Sequence, residues 1–252
     1  MSHGLTLLDS SLVDFSMEDY PIAHRNQPMM KRSLLFLAPL LIANLLHGQA
    51  TPLFDGKSMS GWYVFLKDGG KNPANQTEVS ISDSSFHFAG KSIGYLSTEK
   101  EYGDYKLTLS YRWADTTKSD TKRNSGLIYH AIGEDRMWCN GMEFQMQQDD
   151  AGDLWLIPGT AANARINVDA KEIGGTQRGE RVLKREANEK PLGEWNTLVL
   201  ICKGNTFEHW VNGKKVLYGT VVDREKGRIQ FQAEGHEVWI KDINIEDLAS
   251  AK

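Results

Sequence analysis

The chain has 252 residues, with 29 Lys and Arg against 33 Asp and Glu and a formal net charge of -4. That leaves room for one large or two small domains, and the mild acidity, with no stripe of Lys and Arg, excludes a nucleic-acid footprint. The densest basic stretch, around Arg181, Lys184 and Arg185, is interleaved with Glu180 and Glu186 and reads as a solvated loop or short helix.

The first fifty residues differ from the rest. "MKRSLLFLAPLLIANLLHGQA", residues 30–50, opens on Lys31 and Arg32, runs through an apolar stretch from Leu34 to Leu46, and ends in Gly48-Gln49-Ala50. These are the basic, apolar and small-residue regions of a secretory signal peptide. The apolar run is shorter than the roughly 20 residues of a membrane span, so no span is expected after processing. No Cys sits near the cleavage point to carry a lipid. A signal peptide here implies translation from Met30, with residues 1–29 either an over-extended start or a poorly ordered extension. The folded unit is expected from Thr51.

From Thr51 onward the signals are those of strands. "YKLTLSYRW" alternates Tyr105, Leu107, Leu109, Tyr111 and Trp113 against polar residues, and "LVLICKGNTFEHWVNGKKVLYG" carries two turn signals, Gly204-Asn205 and Asn212-Gly213. "GRIQFQAEGHEVWIKDINIEDL" adds two more strands. Pro158 to Pro191 breaks this rhythm; rich in Gly, Asn and charge, it reads as one extended loop, of a length that is often functional. Many short antiparallel strands without a 20–50-residue repeat indicate a single β-sandwich or jelly roll, not a propeller. Cys139 and Cys202 both fall in strand-like stretches, either as a pair or as two buried thiols.

The most informative stretch is "GMEFQMQQDDAGDLW". Met142, Phe144 and Met146 alternate with Glu143, Gln145 and Gln147, which a strand places on opposite faces of a sheet. A carboxylate flanked by two amides is an unusual wet face.

The chain resembles the 3-keto-disaccharide hydrolase domain family. The motifs, in the family's order, are "LFDGKSMSGWYV", "YKLTLSYRW", "NSGLIYH", "GMEFQMQ" with "GDLW", "LGEWNTLVLICKGN", "HWVNGKKV" and "GRIQFQAEGHEVWIKDINI", spanning about Thr51 to Leu248. The resemblance implies a concanavalin A-like jelly-roll β-sandwich of two curved antiparallel sheets, a carbohydrate groove on the concave face, and bacterial export to the periplasm or beyond. It also implies substrates already oxidised to the ketone at C3 of the sugar. Such a ketone acidifies the C2 proton, so a base can remove it and the C1 oxygen leaves by β-elimination; water then adds across the double bond. The site needs a base, an acid and a group to hold the enolate oxygen, not the paired carboxylates of an ordinary glycosidase.

On that reading Glu143 is the lead base, with Gln145 and Gln147 beside it in the groove. His130 shares a face with Ile128 and Gly126 by alternation, so it is either a proton shuttle or a packed histidine. Trp155 and Trp138 are candidates for stacking on a sugar, Arg123 for donating to a hydroxyl or an enolate, and Asp153 for binding hydroxyls, acting as second acid or capping a turn. His209, Trp62, Trp195 and Trp239 are assigned to packing, and His236 to an exposed turn. No cofactor is required, although Asp149, Asp150 and Asp153 could hold a divalent cation such as Ca²⁺ without a recognised loop pattern. The competing readings are a carbohydrate-binding module without activity and a conventional glycoside hydrolase, the latter weakened by the single carboxylate on the central strand.

Overall fold

The computed structural model describes residues 49–114, 121–157, 164–168, 171–175, 181–221 and 224–249. The expected signal peptide and the extension before it therefore lie outside the described residues, apart from Gln49 and Ala50. Among the described residues, no helix is long and apolar enough to cross a membrane.

Every regular element described is a strand. In chain order these are β1 (Thr51–Pro52), β2 (Trp62–Leu66), β3 (Gly70–Lys71), β4 (Val79–Ser82), β5 (Ser85–Ala89), β6 (Ile93–Thr98), β7 (Tyr105–Trp113), β8 (Gly126–Ile132) and β9 (Asn140–Gln145). There follow β10 (Leu154–Ile157), β11 (Ala164–Val168), β12 (Lys171–Gly175), β13 (Arg181–Val182), β14 (Asn196–Lys203), β15 (Thr206–Val211), β16 (Lys214–Val221), β17 (Arg228–Glu234) and β18 (Glu237–Asp247). They form two antiparallel sheets. The larger runs β12-β11-β16-β15-β14-β7-β18-β5-β4, with β1 added on β18; the smaller runs β13-β10-β9-β8-β17-β6-β2-β3. This is the all-β jelly-roll sandwich expected from the strand spacing.

The core lies between the sheets. Leu107, Leu109, Tyr111 and Trp113 of β7 and Leu198 and Leu200 of β14 meet Met142 and Phe144 of β9 and Ile229 and Phe231 of β17, all nearly inaccessible. Fully burying each such side chain favours folding by roughly 1.5–3 kcal/mol. The opening motif earns its place here: Phe54 stacks on Phe86 with centroids 3.7 Å apart, and Trp62 meets the same ring edge-on at 5.2 Å. Between those two aromatics Asp55 turns the chain by accepting the N–H groups of Lys57 and Ser58 at 2.8 Å each.

Pro158 to Pro191 is not one long loop. It contains the hairpin β11–β12, whose first strand joins the larger sheet against β16, and β13, which pairs with β10 on the smaller sheet. Periodicity missed these because the strands are only two to five residues long. Residues 158–163, 169–170 and 176–180 lie outside the described residues. Cys139 and Cys202 are both free and buried; Cys202 sits in the core while Cys139 packs in a separate cluster with Tyr63, Tyr95 and Ile128.

Candidate active site

The smaller sheet has an unusual outer face. On β9 all six residues are buried, and on β8 the first six, so there is no dry-wet alternation although the side chains still alternate in direction. Met142 and Phe144 join the core, which directs Glu143 and Gln145 outward, yet these two are only 7% and 5% exposed. Strand register fixes their neighbours. Trp155 and Ile128 flank Glu143 on β10 and β8; Gln230 lies beyond Ile128, then Ser97 on β6 and Tyr63 on β2. In the next row Gln145 is followed by Gly126.

Gly126 explains how the acid fits. A Cβ built on it would lie 2.4 Å from Glu143 Oε1 and 2.3 Å from Gln232 Oε1, so both side chains lean into the space its missing side chain leaves. Burial, and after it the charge of Glu234, raises the Glu143 pKa to about 8; a hydrogen bond with Gln232 and the charge of Arg181 oppose the rise. At neutral pH Glu143 is therefore largely protonated. Burial likewise raises the pKa of Glu234, on β17, to about 7. The side chain of Asn124 donates to this second carboxyl. Sequence reading missed Glu234 because it sits at a strand end two strands from Glu143. The available signal was its alternation with Gln230 and Gln232 in "GRIQFQAE".

The other flank is built by Asp153. This aspartate is 1% exposed, and its carboxylate is taken up by donors of the protein. It accepts Arg181 Nε at 2.7 Å and the backbone N–H of Lys184 at 2.8 Å, with the Lys184 ammonium at 3.5 Å. Asp150 holds the same guanidinium at 3.0 Å. Arg181, expected in a solvated loop, thus belongs to the site: it pairs in register with Trp155 and its guanidinium lies 5.6 Å from that ring's centroid. Trp155 is half-buried on the same face as Glu143, with its indole N–H buried and unpartnered. Gln145 turns its carbonyl oxygen to the N–H groups of Met146 and Gln147 at 2.8 Å, leaving its amide nitrogen as the remaining polar group. Gln147 lies past the end of β9, where the turn to β10 begins, so the strand carries two outward polar residues and not three.

His130 is not with them. The register slips between Tyr129 and Ile132, and His130 takes a φ of 50°, so alternation fails and Ala131 replaces it on the outer face. Its ring packs edge-on to Tyr105 and Tyr129 at 5.8 and 5.7 Å, both nitrogens lack partners, and burial pushes its pKa down to about 4. Gly227 makes the bulge possible, since a Cβ there would fall 2.3 Å from the His130 carbonyl carbon. Arg123 is buried and donates to Gln148 Oε1 at 3.2 Å; its neighbour Asn124 is the residue that reaches Glu234. His209 is structural, as expected: it bridges Tyr129 Oη and Gly152 O, at 3.0 Å each, and stacks on Phe144 at 4.0 Å. His236 is half-buried, its Nδ1 accepting the Asn124 N–H at 3.2 Å. Trp138 packs, half-buried, on the apolar part of the outer face.

The aspartates considered for Ca²⁺ face cations of the protein instead. Lys122 lies 3.6 Å from both Asp149 and Asp150, and Arg181 and Lys184 hold Asp153. Among the described residues no group of three His, Cys, Asp or Glu side chains is placed to hold a metal ion.

The sequence pattern of the 3-keto-alpha-glucoside-1,2-lyase-like domain family matches residues 49–246. Among solved structures, a "putative glycosyl hydrolase" from Parabacteroides distasonis ATCC 8503 shares 22% identity at a TM-score of 0.55, over 80% of this chain and 94% of its own. A second structure so described from the same organism shares 20% at 0.54, over 79% and 100%. A carbohydrate-binding module from Bacillus subtilis shares 9% at 0.50, over 74% and 96%. At these identities the likeness concerns the fold alone. No curated protein matches the chain.

Proposed function

Because the chain belongs to the 3-keto-alpha-glucoside-1,2-lyase-like domain family, we propose that it cleaves the glycosidic bond of 3-keto-glycosides by elimination followed by hydration. The observation that carries this reading is the pair of carboxyls on the outer face of the smaller sheet, the buried Glu143 and the half-buried Glu234, with pKa values of about 8 and about 7. Such a pair titrates as a unit, and between those values it holds one proton: an acid and a base in the same site.

Glu234, the first to ionise, takes the C2 proton. The C–H electrons form the enolate of the C3 ketone, then the C1=C2 double bond as the C1–O bond breaks. Glu143 gives its proton to the departing oxygen. Water then adds its oxygen to C1 and a proton to C2, so the net change is hydrolysis. Arg181 is the positive group whose charge Glu143 feels, and it is the candidate for holding negative charge on the enolate oxygen. Gln230 Oε1, Gln232 Oε1 and the Trp155 N–H, all buried without partners, are the groups that substrate hydroxyls would satisfy.

One observation favours a second reading, a conventional glycoside hydrolase: Glu234 supplies the second carboxyl that the central strand lacks. Incubation with a 3-keto-glucoside, following the enone absorbance, separates the two. Glu143→Gln should lower kcat by about 10²–10⁴-fold while sugar affinity persists. The pH profile of kcat should be a bell, falling below about 7 as Glu234 protonates and above about 8 as Glu143 ionises. Cleavage of the unoxidised glycoside alone would refute the elimination. Affinity without any turnover would make the protein a binding module.

The basic, apolar and small-residue order of residues 31–50 supports export to the periplasm or beyond. N-terminal sequencing of the mature protein should begin near Thr51.

A further inference from the structure

Strand order and register place Gly126 on the diagonal from Glu143 to Glu234. It is the ladder partner of Gln145, two residues past Glu143 on β9, and Gln232, two residues before Glu234 on β17, leans into its space. On one side of that diagonal stand Gln145, Trp155 and Arg181. On the other stand Gln230, Gln232, Ser97, Tyr63 and Tyr95.

On the second side the donors are already bonded. Asp135 accepts the hydroxyls of Tyr63 and Tyr95 at 2.5 and 2.9 Å, and Ser97 Oγ donates to Thr98 O at 3.1 Å. Gln230 Nε2 turns to Ser97 Oγ at 3.4 Å and Gln232 bonds to Glu143, so each of these amides leaves a carbonyl oxygen open. The first side is the reverse. Two backbone N–H groups fix the carbonyl oxygen of Gln145, and a flipped amide would set donor against donor. The nitrogen that Gln145 presents has no partner among the described residues and is not closed off from solvent as the Trp155 N–H is. Arg181 adds positive charge, although Asp153 and Asp150 take its Nε and Nη2. Asp153 also accepts the backbone N–H of Gln145 at 2.9 Å, which sets the residue that grips the guanidinium beside the amide.

The elimination proposed above, on which this inference rests, needs donors at one point. When Glu234 takes the C2 proton, the C–H electron pair moves onto the C3 oxygen; as the C1–O bond breaks, it returns to form C1=C2. A sugar laid across the face puts C3, bonded to C2, to one side of the line from Glu143 to Glu234. The oxygen that gains charge has no hydrogen of its own, so it fits the side that offers N–H groups and not the side that offers carbonyl oxygens. A C3 hydroxyl in the same place would aim its hydrogen at donors and lose that bond.

We infer that Gln145 is a catalytic residue whose amide N–H holds the C3 oxygen, first as ketone and then as enolate, and so selects the oxidised sugar. The probe is 1,5-anhydro-3-keto-glucitol, which has no leaving group outside its ring. Exchange of its C2 proton in heavy water is followed by NMR, and its affinity is compared with that of 1,5-anhydroglucitol by calorimetry. The wild type should exchange the C2 proton and bind the ketone about tenfold more tightly than the alcohol. Gln145→Met should slow exchange by about 10²–10³-fold, erase the preference and leave the affinity for the alcohol within about twofold. Gln145→Glu keeps an oxygen for the two backbone N–H groups; it should melt close to the wild type and lose at least as much exchange at neutral pH. Exchange within about threefold of the wild type in either folded variant overturns the inference, as does an equal fall in affinity for ketone and alcohol. A wild type that exchanges nothing and cleaves only unoxidised glycosides sinks the elimination and this role together. Exchange and cleavage that survive in both variants remove the role of Gln145 alone.

Discussion

The outer faces of the two sheets start from the same sequence grammar and end in opposite states. On the larger sheet burial alternates strictly along β7 and β14, and the outward residues stack on one another. Arg112 lies 4.9 Å from the Trp195 ring and 5.2 Å from that of Trp239, which in turn stacks on His87 at 4.7 Å. His87 completes the row with Glu237 at 2.7 Å. On the smaller sheet the outward residues are buried, and Gln230, Gln232 and Trp155 each keep a polar atom with no partner. A satisfied wet face needs no ligand; a dry face with open hydrogen-bonding groups does. That contrast, more than the identity of any one residue, marks the candidate site.

The comparison can be broken at several points. The largest effect is expected at Gly126→Ala, where a methyl group would occupy the space of the Glu143 and Gln232 oxygens. A displacement of about 1 Å should cost about 100-fold in turnover, with a circular dichroism spectrum close to wild type; activity within about threefold would mean that Glu143 is not placed as described.

Next in size is a stability effect of Glu143→Gln. The folded pKa of Glu143 is raised from 4.5 to about 8, so the folded state binds the proton more tightly than the unfolded chain. The stability that this supplies is complete below the unfolded value and is lost as pH rises through about 8. The variant should therefore match the wild type near about pH 5 and exceed it by roughly 4 kcal/mol near about pH 9 in denaturant titrations. A constant difference across that range would place the carboxyl in solvent.

Asp153→Asn removes the buried partner of Arg181 and Lys184. Because Arg181 is partly exposed, the expected loss is about 2 kcal/mol, less than for a fully buried pair, measurable as a lower Tm. The smallest effect should come from the satisfied face: Arg112→Ala should cost about 0.5–1 kcal/mol of stability and leave turnover unchanged. A loss of activity there would show that the larger sheet takes part in binding.

Much of the fold was legible because strand periodicity and burial are local signals. The alternation in "YKLTLSYRW" and "GMEFQM", and the Asn212-Gly213 turn, whose residues adopt φ values of 48° and 82°, are each encoded within a few residues. The candidate site was legible only in part. Glu143, Gln145 and Trp155 stand together because their strands are neighbours in sequence as well as in space. His130 was misplaced because one bulge reverses side-chain direction, and no local pattern announces a bulge that depends on Gly227 across the sheet. Asp153 reads equally as a sugar ligand, a second acid or a turn cap until its partner Arg181, 28 residues on, is brought beside it.

The amino-acid sequence alone determined the longer alternating strands, their inward faces and membership of a sandwich, since period-two alternation needs only adjacent residues. Only the tertiary structure decided which outward groups are wet and which are dry. It brought Glu234 and Arg181 to Glu143 from separate strands, and it gave the tyrosine hydroxyls to Asp135. Desolvation and charge pairing depend on what lies within a few ångströms, whatever its distance along the chain.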